Sequence, residues 1–247
     1  MTDVAPEIRT DLAPSGKLRV GINFGNPLLT ARDPVTRAPS GIALDLASEL
    51  GRRLGVPVEI VSYETAGALA ESAANGEWEV GFLGAEPQRA NEIDFTAAYL
   101  EIEATYLVPP GSTLQAVADV DREGIRVMVS AKSAYDLYLM RNLRHASLSR
   151  AEGQQGSFKA FVDAKYDALA GLRPQLAKDA EKLPGSRLLE GRFTAVQQAV
   201  GTPKGHAAGA QYLCEYVEDI KAAGRVTRAI ADNKVRGVTV APPAARR

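Results

Sequence analysis

The chain of 247 residues carries 29 Lys and Arg against 30 Asp and Glu, a formal net charge of -1, so no overall electrostatic attraction to nucleic acid or to an anionic membrane surface is expected. Its 45% hydrophobic and 24% charged residues, with 22 Gly and 14 Pro, are those of a globular protein and exclude a collagen-like, coiled-coil or largely disordered chain. Cys214 is the single cysteine, which excludes an internal disulfide, and with only His145 and His206 beside it neither a metal centre nor a cofactor is expected.

Residues 1–15 and the tail 241–247 are polar, Pro-bearing and without period, and are expected to be poorly ordered. Lys17 to Ile22 alternates Leu18, Val20 and Ile22 with Lys17, Arg19 and Gly21 and predicts a strand. Ile42, Leu46, Leu50 and Leu54 then recur at four-residue steps and predict an amphipathic helix ending at Gly55. A strand over Val56 to Val61, a helix over Ala66 to Ala74, a strand over Glu77 to Leu83 and a helical turn begun by Pro87 follow. Strand, helix, strand, helix, strand is the pattern of a parallel α/β sheet with right-handed crossovers.

A second α/β unit is predicted downstream: strand Gly124 to Val129, helix Ser133 to Leu143, strand Ser147 to Ala151, helix Ser157 to Ala164, strand Tyr166 to Ala170, helix Pro174 to Leu183 and a short segment Ser186 to Glu190. The β-rich runs Ile102 to Val108 and Phe193 to Val200 enter and leave it. The chain is expected to end on helices, Ala207 to Ala223 and Val226 to Ala231, which cannot form a domain alone and so return to the first unit. In the longer of these, Ala210, Leu213, Cys214, Val217 and Ile220 form an apolar stripe, on which Cys214 reads as a buried thiol. The architecture expected is α/β with two lobes: 1–101 plus 198–247, and 104–192, with hinge segments near 102–103 and 193–197. Asp45 and Glu49, and the Arg pairs at 52–53 and 246–247, read as solvated faces. The segment Gly201 to Gly205 lacks the ending of a phosphate loop.

Several segments in order resemble the bacterial extracellular solute-binding proteins of family 3, the substrate-binding proteins of polar amino-acid ABC transporters. These are L18-R-V-G-I-N-F-G-N-P27, G41-I-A-L-D-L-A47, G76-E-W-E-V-G81, E86-P-Q-R89 with D94-F-T-A-A-Y99, G124-I-R-V-M-V-S-A-K-S-A134, and T202-P-K-G205 followed by a long helix. The resemblance implies the type II periplasmic-binding fold, with a ligand cleft between lobes that close about a hinge. It places Arg89 at the clamp for a ligand carboxylate, a pairing suited to a planar guanidinium. It sets Gly84 at a loop hydroxyl position, Ser133 and Ala134 at a Thr-Thr pair, and Asn23 and Phe24 in the loop whose aromatic residue packs on the ligand, a role open also to Tyr135.

Two departures bear on the ligand. The family's carboxylate for an ammonium group falls near Leu172, so an α-amino acid lacks its counter-ion unless Glu86 or another acid substitutes. Arg173, beside it, either points into the cleft and favours a dicarboxylate or faces water at a helix start. The resemblance thus implies a non-catalytic protein that closes on a small carboxylate, a monomer, partnered by an ABC permease if exported. The alternatives are a lyase like the cyclohexadienyl dehydratases of the same fold, with Glu86 as general acid, and a cytoplasmic ligand sensor. No apolar run is long enough for membrane insertion, and the N-terminus lacks a secretory signal. The protein is therefore expected in the cytoplasm as encoded, or in the periplasm if an export signal has been replaced by Met1.

Overall fold

A computed structural model describes residues 4–245; the parts of the terminal expectations that fall on 1–3 and 246–247 lie outside them. The chain divides into two compact units, Met1–Glu101 with Gln197–Arg247, and Ile102–Val196. In order, the elements are α1 (Pro6–Leu12), β1 (Leu18–Asn23), β2 (Ala31–Arg32), β3 (Pro39–Ser40), α2 (Ile42–Leu54), β4 (Val58–Tyr63), α3 (Ala66–Glu71), β5 (Val80–Gly84) and β6 (Ile93–Val108). Then come β7 (Arg126–Ser130), α4 (Ala134–Asn142), β8 (Ser147–Ala151), α5 (Gly153–Asp163), β9 (Ala168–Leu172) and α6 (Arg173–Glu181). The last are β10 (Arg187–Leu188), β11 (Thr194–Pro203), α7 (Ala207–Ala222), α8 (Arg225–Asp232) and β12 (Val238–Val240). The chain leaves the first unit within β6 and returns within β11.

In unit 1, β1 lies between β4 and β5, parallel to both, with β11 antiparallel on the far side of β5. The predicted stripe of α2 is fully realised: Ile42, Leu46, Leu50 and Leu54 are all buried, and Gly55 closes the helix in the left-handed region at φ 71°, its N–H donating to the Gly51 carbonyl. Trp78 is buried, and its Nε1 donates to Ser72 Oγ at 2.8 Å. Its indole covers the register pair Gly21 and Gly81, where a Cβ at either position would come within 3.1 Å of the ring. Arg19 on β1 pairs with buried Glu79, which also accepts the Arg19 N–H at 3.0 Å and so ties the approach to β5 onto β1.

Unit 2 repeats the plan. β7 lies between β8 and β9, parallel to both, and β6 runs antiparallel on the far side of β9. Its core gathers Leu107, Met128, Phe161, Leu169 and Leu176.

Several expectations are corrected. The N-terminal stretch is not without structure: α1 packs on α7, Leu12 is wholly buried, and the Gly209 N–H donates to Asp11 Oδ2 at 2.9 Å. The chain ends on a strand, β12, after which the buried Ala241 donates its N–H to the Tyr99 carbonyl at 3.2 Å. The strand expected from Ile102 begins at Ile93, because Asp94 to Tyr99 is extended too. Cys214 is exposed, because α7 buries the face of Gly209, Leu213, Tyr216, Val217 and Ile220. Glu49 is not on a solvated face: its side chain is 12% exposed and meets Arg52 at 2.8 Å, Arg53 at 3.1 Å and Arg225 at 4.0 Å.

Leu12→Ala is expected to cost about 2–4 kcal/mol, read from the urea midpoint, since it empties a closed site between α1 and α7. The Glu49 carboxyl is held down to about 2 from 4.5, chiefly by Arg52 against the opposing effect of burial, with help from Arg53 and Arg225. That stabilisation is complete above pH 4.5 and is lost as pH falls toward 2. Glu49→Gln should therefore lose on the order of 1–2 kcal/mol at neutral pH, with the gap to wild type closing in strong acid.

Candidate functional site

Within each unit, the chain reverses its direction of strand addition beside the first strand. After β1 it adds β4 on one side and then β5 on the other. After β7 it adds β8 and then β9 on the other side. In open α/β sheets ligands bind outside the carboxyl ends of the strands at such a switch point. That singles out the ends of β1 and β5 in unit 1, and the ends of β7 and β9 in unit 2.

In unit 1, two residues past the register pair Ile22 and Phe82 stand Phe24 and Gly84. Phe24 donates its N–H to the Tyr63 carbonyl at 2.7 Å, and Asn23 Oδ1 accepts the Gly25 N–H at 2.9 Å. A Cβ on Gly25 would sit 2.2 Å from the Glu64 carbonyl oxygen, so only glycine lets the loop pack this closely against the end of β4. The Phe24 ring carries the Arg32 guanidinium on its face, at 3.8 Å from the centroid.

Past β5, the Glu86 carbonyl accepts the Arg89 N–H at 2.9 Å and the Ala90 N–H at 3.1 Å, folding a turn of helix. That turn brings Arg89 back beneath the strand end, where its Nη1 donates to the Gly84 carbonyl at 2.7 Å. Arg89 is only 6% exposed. Burial pushes its guanidinium down to about 10, a shift that the Glu86 carboxylate opposes. From the sequence alone, Gln-Arg-Ala-Asn-Glu reads as a surface turn; the fold buries the one arginine within it.

In unit 2, Ser133 caps α4, its Oγ accepting the Asp136 N–H at 3.1 Å, and Ala134 opens the helix and is buried. Lys132 stands at φ 56°, a left-handed conformation that costs a non-glycine residue about 1–2 kcal/mol. Asp136 compensates: its buried carboxylate accepts the Lys132 N–H at 2.8 Å and the Arg150 Nε–H at 2.9 Å. Tyr135 faces inward and is 4% exposed, and burial pushes its phenol up to about 12, with Ser133 and Ser130 hydrogen-bonded to it. It shares with Leu172 a cavity of about 10 Å³, too small for a solute.

Leu172 is the last residue of β9 and is buried. Arg173 donates from Nε to Glu103 Oε2 at 2.9 Å and from Nη2 to the Gly191 carbonyl, and Arg192 reaches the same carboxylate at 3.5 Å. The structure thus brings Asn23, Phe24, Gly84, Glu86 and Arg89 to one strand-end region of unit 1. Ser133, Ala134, Leu172 and Arg173 stand at the corresponding region of unit 2.

Sequence reasoning missed Arg32, Lys132, Asp136 and Glu103. Arg32 had a signal, being a basic residue in the loop after the first strand; Asp136 had one as an acid three residues after a Ser N-cap. Among the described residues no group of three or more His, Cys, Asp or Glu side chains is placed to hold a metal ion, and no helix is long and apolar enough to cross a membrane.

Residues 18–232 match the family model of the bacterial extracellular solute-binding proteins, family 3. The chain belongs to that family. It is 25% identical over 193 residues to a glutamine-binding protein of Geobacillus stearothermophilus, covering 76% of this chain and 73% of that relative. Its fold is similar to that of the solute receptor for L-cysteine of Neisseria gonorrhoeae, with TM-score 0.78, 21% identity and coverage of 94% and 96% of the two chains. It is also similar to an ancestral amino acid-binding protein that is a precursor of cyclohexadienyl dehydratase, with TM-score 0.74, 20% identity and coverage of 90% and 96%. The fold is that of the type II periplasmic-binding proteins, and the chain is a solute-binding protein by family.

Proposed function

We propose that the chain captures a small carboxylate of the amino-acid or organic-anion class for an ABC-type importer and releases it unchanged to the permease. The observation that carries the reading is Arg89, buried at the β1/β5 switch point with its guanidinium plane held by the Gly84 carbonyl. A guanidinium kept from water there is stabilised by a bidentate, charge-assisted pair with a carboxylate. The glutamine-binding name of one relative and the amino-acid ligands named for the structural neighbours support the ligand class. In unit 2, the start of α4 with Ser133 and Ala134 offers hydrogen-bond donors to an anion.

Leu172 limits that class. A shielded ammonium without an anion costs several kcal/mol, and each 1.4 kcal/mol is tenfold in affinity. Glu103 is the acid nearest along the strand pairing, since Ala104 is the register partner of Leu172, but Arg173 and Arg192 already neutralise it. The ligand is therefore recognised by its anionic end. The reading includes the family's mode of action, hinge closure on the ligand, and a site of action outside the cytoplasmic membrane.

Arg89→Ala should weaken binding of every carboxylate ligand by at least roughly tenfold in isothermal titration calorimetry; affinity retained within a factor of about two removes Arg89 as the clamp. Ligand recovered after prolonged incubation should be chemically unchanged by NMR. Conversion that stops in Glu86→Gln would replace the binding reading with a lyase using Glu86 as general acid.

A further inference from the structure

We infer that Arg32, presented on the face of Phe24, is a specificity-determining residue that selects ligands carrying a second anionic group. The inference deepens the carboxylate-binding reading and rests on it. Phe24 is the first residue past β1, level with Gly84, whose carbonyl holds Arg89. Phe24, one of the two rings, with Tyr135, that the resemblance offers for packing on the ligand, carries a guanidinium at 3.8 Å from its centroid. Stacking orients that guanidinium without neutralising it.

The segment leading to Arg32 is fixed to the same strand end. Thr30, two residues earlier, donates from Oγ1 to the Asn23 carbonyl at 3.1 Å and to the Asn26 carbonyl at 3.0 Å. Ala31 and Arg32 then pair with Ser40 and Pro39. Among the described residues no carboxylate stands within ion-pair distance of Arg32, whereas Arg19, Arg52 and Arg53 of the same unit each have one. A cation without a counter-ion, on a side chain that the site's aromatic residue holds in place, is completed by an anion on the ligand. The sequence made Arg173 the candidate second cation; Glu103 occupies Arg173, and Arg32 takes that part. The ligand class is a small dianion, two carboxylates or a carboxylate with another acidic group, which also accords with an uncharged Leu172.

The test compares glutarate with its monoamide, and L-glutamate with L-glutamine, by isothermal titration calorimetry on wild type, Arg32→Gln and Arg32→Lys. Wild type should bind each dianionic or acidic member more tightly than its amide. Arg32→Gln should shrink that ratio by roughly 10- to 100-fold, and Arg32→Lys, which keeps charge but not the planar stack, should retain part of it. An unchanged ratio in Arg32→Gln overturns the inference. So does a wild type that binds the amides as tightly as the acids, an outcome that leaves the carboxylate reading standing. A wild type that binds none of the four overturns the inference, whereas the carboxylate reading stands or falls on the Arg89→Ala titration.

Discussion

Unit 1 is organised around two glycines and one indole. Gly21 and Gly81 are register partners on β1 and β5, and Trp78 lies across them. A Cβ on Gly21 would stand 2.4 Å from Leu69 on α3 as well as 3.1 Å from the ring. Any side chain at these places would lift the indole, break its bond to Ser72 and push α3 outward. The close fit admits one register, because sliding β5 by a residue would bring a buried side chain beneath the ring. Through that register Phe24 and Gly84 come level, and Gly84 in turn fixes where the Arg89 guanidinium sits. A packing constraint well inside the sheet thus sets the positions of the groups at its end.

Charge is distributed unevenly around this frame. Among the described residues many arginines are matched on the spot: Arg19 by Glu79, Arg150 by Asp136, Arg173 by Glu103. These pairs fasten strands and helix ends and leave little net field. Arg32 is laid on an aromatic face, and Arg89 is drawn under a strand end, where it donates to a backbone carbonyl. Stacking on Phe24 orients the Arg32 guanidinium without opposing its charge, and the Gly84 carbonyl fixes one edge of the Arg89 guanidinium.

The sequence was most legible where burial follows a simple period. The four-residue steps of Ile42 to Leu54 gave α2 to within a residue, and β8 was read with both its ends correct. It was least legible where tertiary contacts override local character. The helix Pro6–Leu12 carries only Ile8 and Leu12 as apolar residues, and docking against α7 holds it, not its own propensity. Burial of Arg89 could not be read from its polar neighbours, since it depends on a turn closed by the Glu86 carbonyl. The family resemblance supplied that residue; the stacking of Arg32 on Phe24 came only from the three-dimensional arrangement, because the seven residues 25–31 lie on the path between them.

The two units differ in how their chain is cut. Ile102–Val196 is one continuous stretch, whereas the other unit is assembled from both ends of the molecule. The bond from Gly209 to Asp11 joins residues 198 positions apart, and β12 adds to a sheet edge begun well over a hundred residues earlier. During synthesis the continuous unit has all its strands as soon as it emerges, while the other must wait for the final helices before α1 finds its partner. The inserted unit can thus complete its strands first, and the unit built from two stretches closes α1 onto α7 last.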